Sequence, residues 1–244
     1  MLRLNLTTRL GSYLEPNLEE IWNIEPGDMI DSMLPWWEAG FRIHIHSNGD
    51  AAQDAVLNAL AHMPNVRPRF DHRFVFEHIG LSSVVQIRRM KALGATASVN
   101  PSFVYLRGDL NAVYIGRNRT AQAARLGKLL RYDLPTTIHS DLPVAPADPL
   151  LLMWIAVNRF GQAGEVLAPE ERVSSEQALR MVTIDAAHVL GMDDRIGSIE
   201  PGKFADFTVL EENPLTVSPE RIRDIGIWGT VHAGEAFPAP PKTQ

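Results

Sequence analysis

Three residues that could bind a metal ion follow short apolar runs in the sequence: His46, His78 and Asp141. His78 lies 32 residues after His46, and Asp141 lies 63 residues after His78. One strand–helix unit of an eight-stranded α/β barrel takes about 31 residues, and polar groups gather at the carboxyl ends of its strands. The spacing therefore predicts that the three side chains converge at one end of such a barrel. Imidazole and carboxylate ligands there suit a divalent metal.

A single histidine at a strand end is more often a hydrogen-bonded structural residue than a ligand, so the hypothesis depends on the recurrence. His44 alternates with His46 on one face of the same strand and is expected to pack in the barrel interior or to support His46. His139 shares a strand face with Asp141 and is a candidate for contact with the substrate or with the ligands. Asn48 and Asp50 are further candidates, although turn geometry and helix capping explain them equally well.

The amino-acid composition limits the kinds of chemistry and the partners that the chain can have. The 244 residues contain no cysteine, so disulfides, thiolate catalysis and cysteine-ligated zinc are excluded. The net charge is −6 without basic blocks, which disfavours nucleic acid as a partner. Residues 1–12 contain no apolar run typical of a signal peptide, and no stretch approaches a membrane span. We expect a cytoplasmic protein with a small-molecule ligand and no membrane partner.

The order of elements predicts a parallel sheet. Strands are expected at 41–46, 73–78, 95–99 and 136–140, with helices after the first two beginning near Asp50 and near Ser82 or Ser83. Ser174 and Gln177 form a capping-box pattern that predicts a helix to about Leu190. From Ile196 the helical pattern ends, and turn-forming residues surround a short predicted strand at 204–210. The last segment, FPAPPKTQ, is compositionally biased and is predicted to be a loose tail. His62, His72, His188 and His232 have no strand-end placement and are expected to be surface or capping residues.

The sequence resembles the amidohydrolase superfamily, specifically the amidohydrolase 3 group of YtcJ-like metal-dependent hydrolases. The matching stretches run in the family's order from about residue 28 to 235: HSNGDAAQDAVLNAL, RFVFEHI, LGATASVNPSF, TTIHSDLPVAPADPLLLMWIAVNR and GSIEPGKFADFTVLEENPL. The resemblance implies an α/β fold: strands 5 to 8 of a (β/α)8 TIM barrel, in residues 1–190, and part of a small β-sandwich domain, in residues 191–244.

The resemblance also implies an activity. Members carry one or two divalent metal ions, usually zinc, and activate water to cleave carbon–nitrogen bonds of non-peptide amides. Carried over to this chain, His46 and His78 are metal ligands, and Asp141 is both a ligand and the catalytic residue that moves protons. The family's own His-x-His pair lies on strand 1, so His44 is not carried over as a ligand.

Part of the family pattern has no counterpart. Four strand–helix units before Phe41 would need about 125 residues, but only 40 are present. We therefore expect the C-terminal half of a metal-dependent hydrolase. The alternative is an inactive fragment, or a half-barrel that binds metal or ligand and needs a partner chain. The expected partners are an amide-type small molecule and either further copies of the chain, in a homo-oligomer, or the missing N-terminal half.

Overall fold

The computed structural model describes residues 22–240, and within them the predicted parallel sheet is present. Its strands are β1 (His44–Ser47), β2 (Val75–His78), β3 (Thr96–Val99) and β4 (Thr136–Ile138), and all three neighbouring pairs are parallel in the order β1-β2-β3-β4. All four predicted strands are confirmed; each is shorter than predicted, and β1 ends one residue later, at Ser47. Because the strands are parallel, their carboxyl ends share one edge of the sheet.

Helices follow the strands as the periodicity predicts. α2 (Asp50–Val66) follows β1 and α3 (Val84–Ala92) follows β2, whereas α1 (Met29–Glu38) precedes β1. Asp50 is the capping candidate in the sequence, but the N-cap of α2 is Gly49 and Asp50 is the first helical residue. Ser83 caps α3 through a capping box with Gln86, so the second of the two proposed serines is correct. These caps determine where α2 and α3 begin, next to the sheet edge at which β1 and β2 end.

The long segment between β3 and β4 is a series of short helices. These are α4 (Ser102–Tyr105), α5 (Gly108–Ile115), α6 (Arg117–Ala121) and α7 (Leu126–Arg131), and α8 (Pro149–Asn158) follows β4. The helix predicted from Ser174 to about Leu190 is divided into α9 (Ser175–Met181) and α10 (Ile184–Leu190). Its capping box is confirmed, but the chain leaves helical geometry at Thr183, where φ is −125° and ψ is −98°.

The hydrophobic core lies between the sheet and the helices beside it. Trp37 of α1, Leu57 and Leu60 of α2 and Phe76 of β2 are almost completely buried. Burial of such side chains is worth about 1.5–3 kcal/mol each, so this layer holds the strand ends in place.

The last part of the chain forms a separate antiparallel sheet with the order β5-β6-β7. Its strands are β5 (Phe207–Leu210), β6 (Ile227–His232) and β7 (Glu235–Pro238), with a 3-10 helix at Pro219–Asp224. The strand predicted at 204–210 is present as β5, and the β-sandwich domain stays a prediction. The tail prediction is partly wrong, because Phe237 and Pro238 belong to β7, and its residues 241–244 lie outside the described residues. Residues 1–12, considered above for a signal peptide, lie outside them too.

Two predictions concern larger features than single helices and strands. The division at residues 190 and 191 and the closure of a barrel stay predictions. Among the helices of residues 22–240, none has the length and apolar character needed to cross a membrane.

Candidate active site

The sheet brings the predicted site residues together at its carboxyl edge. His46 lies in β1, His78 is the last residue of β2, and His139 and Asp141 follow β4. The ring centroids of His46 and His78 are 4.4 Å apart, and those of His78 and His139 are 5.0 Å apart. The Nδ1 atom of His78 lies 3.8 Å from the Oδ2 atom of Asp141. Three strands thus contribute to one cluster of three imidazoles and a carboxylate.

The backbone at this cluster is strained. The φ angles are +75° at His78, +45° at Ile79 and +56° at Asp141. Positive φ is uncommon for residues other than glycine and unusual for a β-branched residue such as Ile79. Each such conformation costs on the order of 1–3 kcal/mol and persists where the surrounding structure imposes it, which is frequent at functional sites.

The cluster favours neutral imidazoles. Burial and, to a smaller extent, the neighbouring His46 and His139 together lower the pKa of His78 from 6.5 to about 4, against the opposing charges of Asp141 and Glu77. Burial also lowers the pKa of His139. The pKa of His46 is lowered because the surrounding protein excludes part of its solvent, although the residue as a whole is still exposed. A neutral imidazole has a lone pair available for a metal ion.

The donor atoms fit a divalent metal in type. The buried Nδ1 of His78 and the buried Nε2 of His139 have no hydrogen-bond partner among the described residues. Unpaired buried nitrogens beside a carboxylate are suitable donors for an ion such as zinc. Within residues 22–240, however, no three His, Asp or Glu side chains are already arranged to hold one ion. These donor atoms are close together but do not by themselves form a complete coordination site.

The turn after β1 contacts the loop after β2. Asn48 is buried, its carbonyl accepts a hydrogen bond from the Leu81 amide at 2.9 Å, and its side-chain Oδ1 has no hydrogen-bond partner in the described part of the chain. A Cβ added at Gly80 would lie 2.0 Å from this Oδ1 atom. The two loops therefore pack closely beside His78, and glycine at position 80 permits that approach.

Asp50 lies beside this turn, at the start of α2. Its Oδ2 accepts a hydrogen bond from Arg119 of α6 at 2.7 Å, and its backbone carbonyl accepts one from Gln86 at 2.6 Å. The carboxylate thus joins α6 to α2. These contacts describe a residue that anchors the rim of the site, and a direct role of Asp50 toward substrate stays a prediction.

Glu77 is a residue of the site that the sequence pattern does not predict. This residue precedes His78 in β2, and its Oε1 accepts a hydrogen bond from the Nδ1 of His44 at 2.7 Å, so His44 supports the site through a carboxylate. Its Oε2 lies 3.7 Å from the Nε2 of His139. The available signal was a carboxylate inside the otherwise apolar run FVFEH, where an unpaired charge would be costly.

The remaining histidines lie away from the cluster. His62 is exposed on α2. His188 contacts Asp193 at 3.3 Å, and His232 contacts Asp206 at 3.2 Å. His72 is buried rather than on the surface; its Nε2 bonds the carbonyl of Leu93, which ends α3, at 2.9 Å, so only the capping part of its prediction is correct.

The fold and the placement of these side chains define an α/β protein of the kind that builds its site at the carboxyl ends of parallel strands. The chain belongs to the amidohydrolase family, whose model matches residues 37–237. The family resemblance found in the sequence is thereby confirmed.

Individual relatives agree with this membership. The chain is 31% identical over 192 residues to the N-substituted formamide deformylase of Arthrobacter pascens, a match that covers 78% of this chain and 35% of that protein. It is 27% identical over 201 residues to the putative amidohydrolase YtcJ of Bacillus subtilis, with 81% and 37% covered. The chain therefore spans about a third of the length of these curated relatives.

A solved structure shows the same fold. An uncharacterized metal-dependent hydrolase from Pyrococcus horikoshii matches with a TM-score of 0.77 and 26% identity, covering 90% of this chain and 44% of that one. The likeness supports an amidohydrolase-like arrangement of the four parallel strands.

Proposed function

We propose that this chain contributes His46, His78 and Asp141 to the active site of a metal-dependent hydrolase that cleaves non-peptide carbon–nitrogen bonds. The observation that carries the proposal is the meeting of these three residues at one sheet edge, in a chain of the amidohydrolase family. Residues that the spacing alone had grouped are brought into contact by the fold.

Each residue has a distinct role in the proposed reaction. His46 and His78 would hold the metal through neutral imidazoles, which the lowered pKa of both residues favours. A bound divalent metal supplies Lewis acidity and makes water a better nucleophile near neutral pH. Asp141 accepts the proton that the attacking water releases and returns it to the leaving nitrogen. The half-buried His139, whose ring lies beside that of His78, is the residue we propose to orient the substrate.

Zinc is the metal we propose, because it accepts imidazole and carboxylate ligands together and the chain offers no thiolate. The substrate class we propose is small amides, with N-substituted formamides as the first candidates. The name of the Arthrobacter relative supports that choice.

A second candidate is a chain that completes its site only together with a partner chain. The observation that favours it is the lack, within the described ranges, of three donors already arranged for one ion. The exposed position of His46 in β1 agrees with this candidate, since the ring has an open side on which further ligands could be added.

The test is a zinc analysis combined with hydrolysis of N-substituted formamides and cyclic amides. If the first proposal is right, added zinc gives turnover that is lost in His78→Ala and kept in His62→Ala, which alters an exposed histidine outside the cluster. If the chain needs a partner, turnover is absent at every zinc concentration, but zinc still binds and His78→Ala weakens that binding. Zinc binding and turnover that are unchanged in His78→Ala would contradict both proposals.

A further inference from the structure

Glu77 connects two histidines that lie on different strands. One carboxylate oxygen, Oε1, accepts a hydrogen bond from His44 Nδ1 at 2.7 Å, and the other, Oε2, lies 3.7 Å from His139 Nε2. His44 belongs to β1, and His139 follows β4. A single side chain in β2 thus links the first and the last strand of the parallel sheet.

The surroundings of Glu77 hold this carboxylate in one position. Its side chain is 22% exposed. One of its oxygens bonds His44 and the other faces His139, so the carboxylate has few alternative rotamers and can act as a fixed reference point for the two rings.

A fixed carboxylate decides which nitrogen of a neighbouring imidazole carries the proton. The carboxylate only accepts hydrogen bonds, so the His44 nitrogen that faces it must be the protonated one. That arrangement leaves the Nε2 atom of His44 as the unprotonated nitrogen of a neutral ring. Carboxylates behind functional histidines commonly fix ring orientation and tautomer in this way.

We propose that Glu77 is a positioning residue that sets the tautomer of His44 and the ring orientation of His139 beside the cluster of His46, His78 and Asp141. Its meaning for catalysis rests on the proposed function, because His139 is the group expected to face the substrate. The positioning itself is a property of this chain. It can be measured with neither metal nor substrate present.

The experiment uses the full 244-residue chain, labelled with ¹⁵N in histidine and kept in a chelator. Two-dimensional NMR of the imidazole nitrogens reports which nitrogen carries a proton in each ring, and single histidine substitutions assign the signals. We expect the wild-type His44 to be protonated at Nδ1. In Glu77→Gln, which preserves size and removes the charge, we expect the His44 nitrogen signals to shift toward those of the other tautomer and the His139 signals to shift as well.

The matched control is Asp206→Asn, which alters another carboxylate in contact with a histidine, His232 of the separate antiparallel sheet. We expect its His44 and His139 signals to match those of the wild type. If Glu77 had only a structural role, Glu77→Gln would have a lower melting temperature but unchanged His44 and His139 signals. That result would overturn the proposal. If Glu77→Gln does not fold, the wild-type spectrum decides, because a His44 protonated only at Nε2 contradicts the proposal. None of these outcomes depends on hydrolytic activity, so failure here is distinguishable from failure of the proposed function.

Discussion

The rings of His46 and His78 lie in contact, with centroids 4.4 Å apart, although 32 residues separate them in the chain. Parallel pairing produces this contact, because Ser47 of β1 pairs with His78 of β2 and the preceding residue of β1 is His46. Strand register therefore sets the distance between the two candidate metal ligands.

Asp141→Asn tests the proton-transfer role. Asparagine tolerates the positive φ of +56° at this position about as well as aspartate, so the fold is expected to persist. General acid–base catalysis contributes roughly 10²- to 10⁴-fold in rate, and we expect kcat to fall by at least the smaller factor in an active enzyme that contains this chain. The measurements are kcat and melting temperature on the same variant. Near-normal turnover would show that Asp141 serves only the turn that follows it.

Gly80→Ala tests the close packing of the two loops beside His78. The new Cβ would lie 2.0 Å from Asn48 Oδ1 and 3.1 Å from the Asn48 carbonyl oxygen, so the buried Asn48 must move. We expect a loss of about 1–3 kcal/mol in the free energy of unfolding, measured by urea denaturation. Gly27→Ala is the control, because its added Cβ meets no atom within 4 Å. Equal stability of the two variants would show that the loops are not tightly packed.

Glu171→Gln tests the buried ion cluster behind these loops. The side chain of Glu171 is fully buried, 3.1 Å from Arg125 Nε, and accepts a hydrogen bond from the Lys128 amide at 2.6 Å. Removing one partner of a buried pair leaves an uncompensated charge, and we expect about 3 kcal/mol of destabilisation or more. Glu170→Gln, at an exposed neighbouring position, should change the unfolding free energy by less than about 1 kcal/mol. A similar small change in both would contradict this reading.

Asp193→Asn tests the acid sensitivity of the contact between Arg73, which precedes β2, and the chain after α10. The hydrogen bond from Arg73, at 2.5 Å, lowers the pKa of Asp193 to about 2, against the opposing effect of burial. A carboxyl group in the unfolded chain titrates near 3.9, so the unfolded state binds the proton first. The contribution is therefore present above about pH 4 and lost as pH falls toward 2.

We expect the wild type to lose more stability than Asp193→Asn over that interval in acid titrations followed by circular dichroism. Asp194→Asn, at the exposed neighbouring position, is the control and should behave as the wild type. Parallel acid profiles for all three proteins would show that the Asp193 contact does not contribute.

Hydrophobic periodicity was sufficient to predict the parallel strands, because alternation and strand–helix spacing are local properties of the sequence. The capping box at Ser174 and Gln177 was predictable for the same reason. Division of the following helix at Thr183 was not, because nothing in the pattern marks the change of backbone angles there.

The candidate site was predictable only in part. Barrel spacing grouped His46, His78 and Asp141, but the role of Glu77 depends on which side chains face it across two neighbouring strands. His72 shows the same limit, since its burial follows from tertiary packing against Trp37, with ring centroids 5.0 Å apart. Pair contacts between strands far apart in sequence are set by register, which no single stretch contains.

Zinc titration of the 244-residue chain against a competing chelator tests the central claim most directly. The three candidate ligands, of which His46 is exposed, are not already arranged to hold one ion within residues 22–240, so we expect weak zinc binding that does not survive dialysis. We expect His46→Ala and His78→Ala each to reduce that affinity further, with His62→Ala unchanged. Zinc that binds equally well to the wild type, His46→Ala and His78→Ala would contradict the claim that these residues form the metal site. Stoichiometric zinc that survives dialysis and is lost in both variants would instead show that the described residues form a sufficient site.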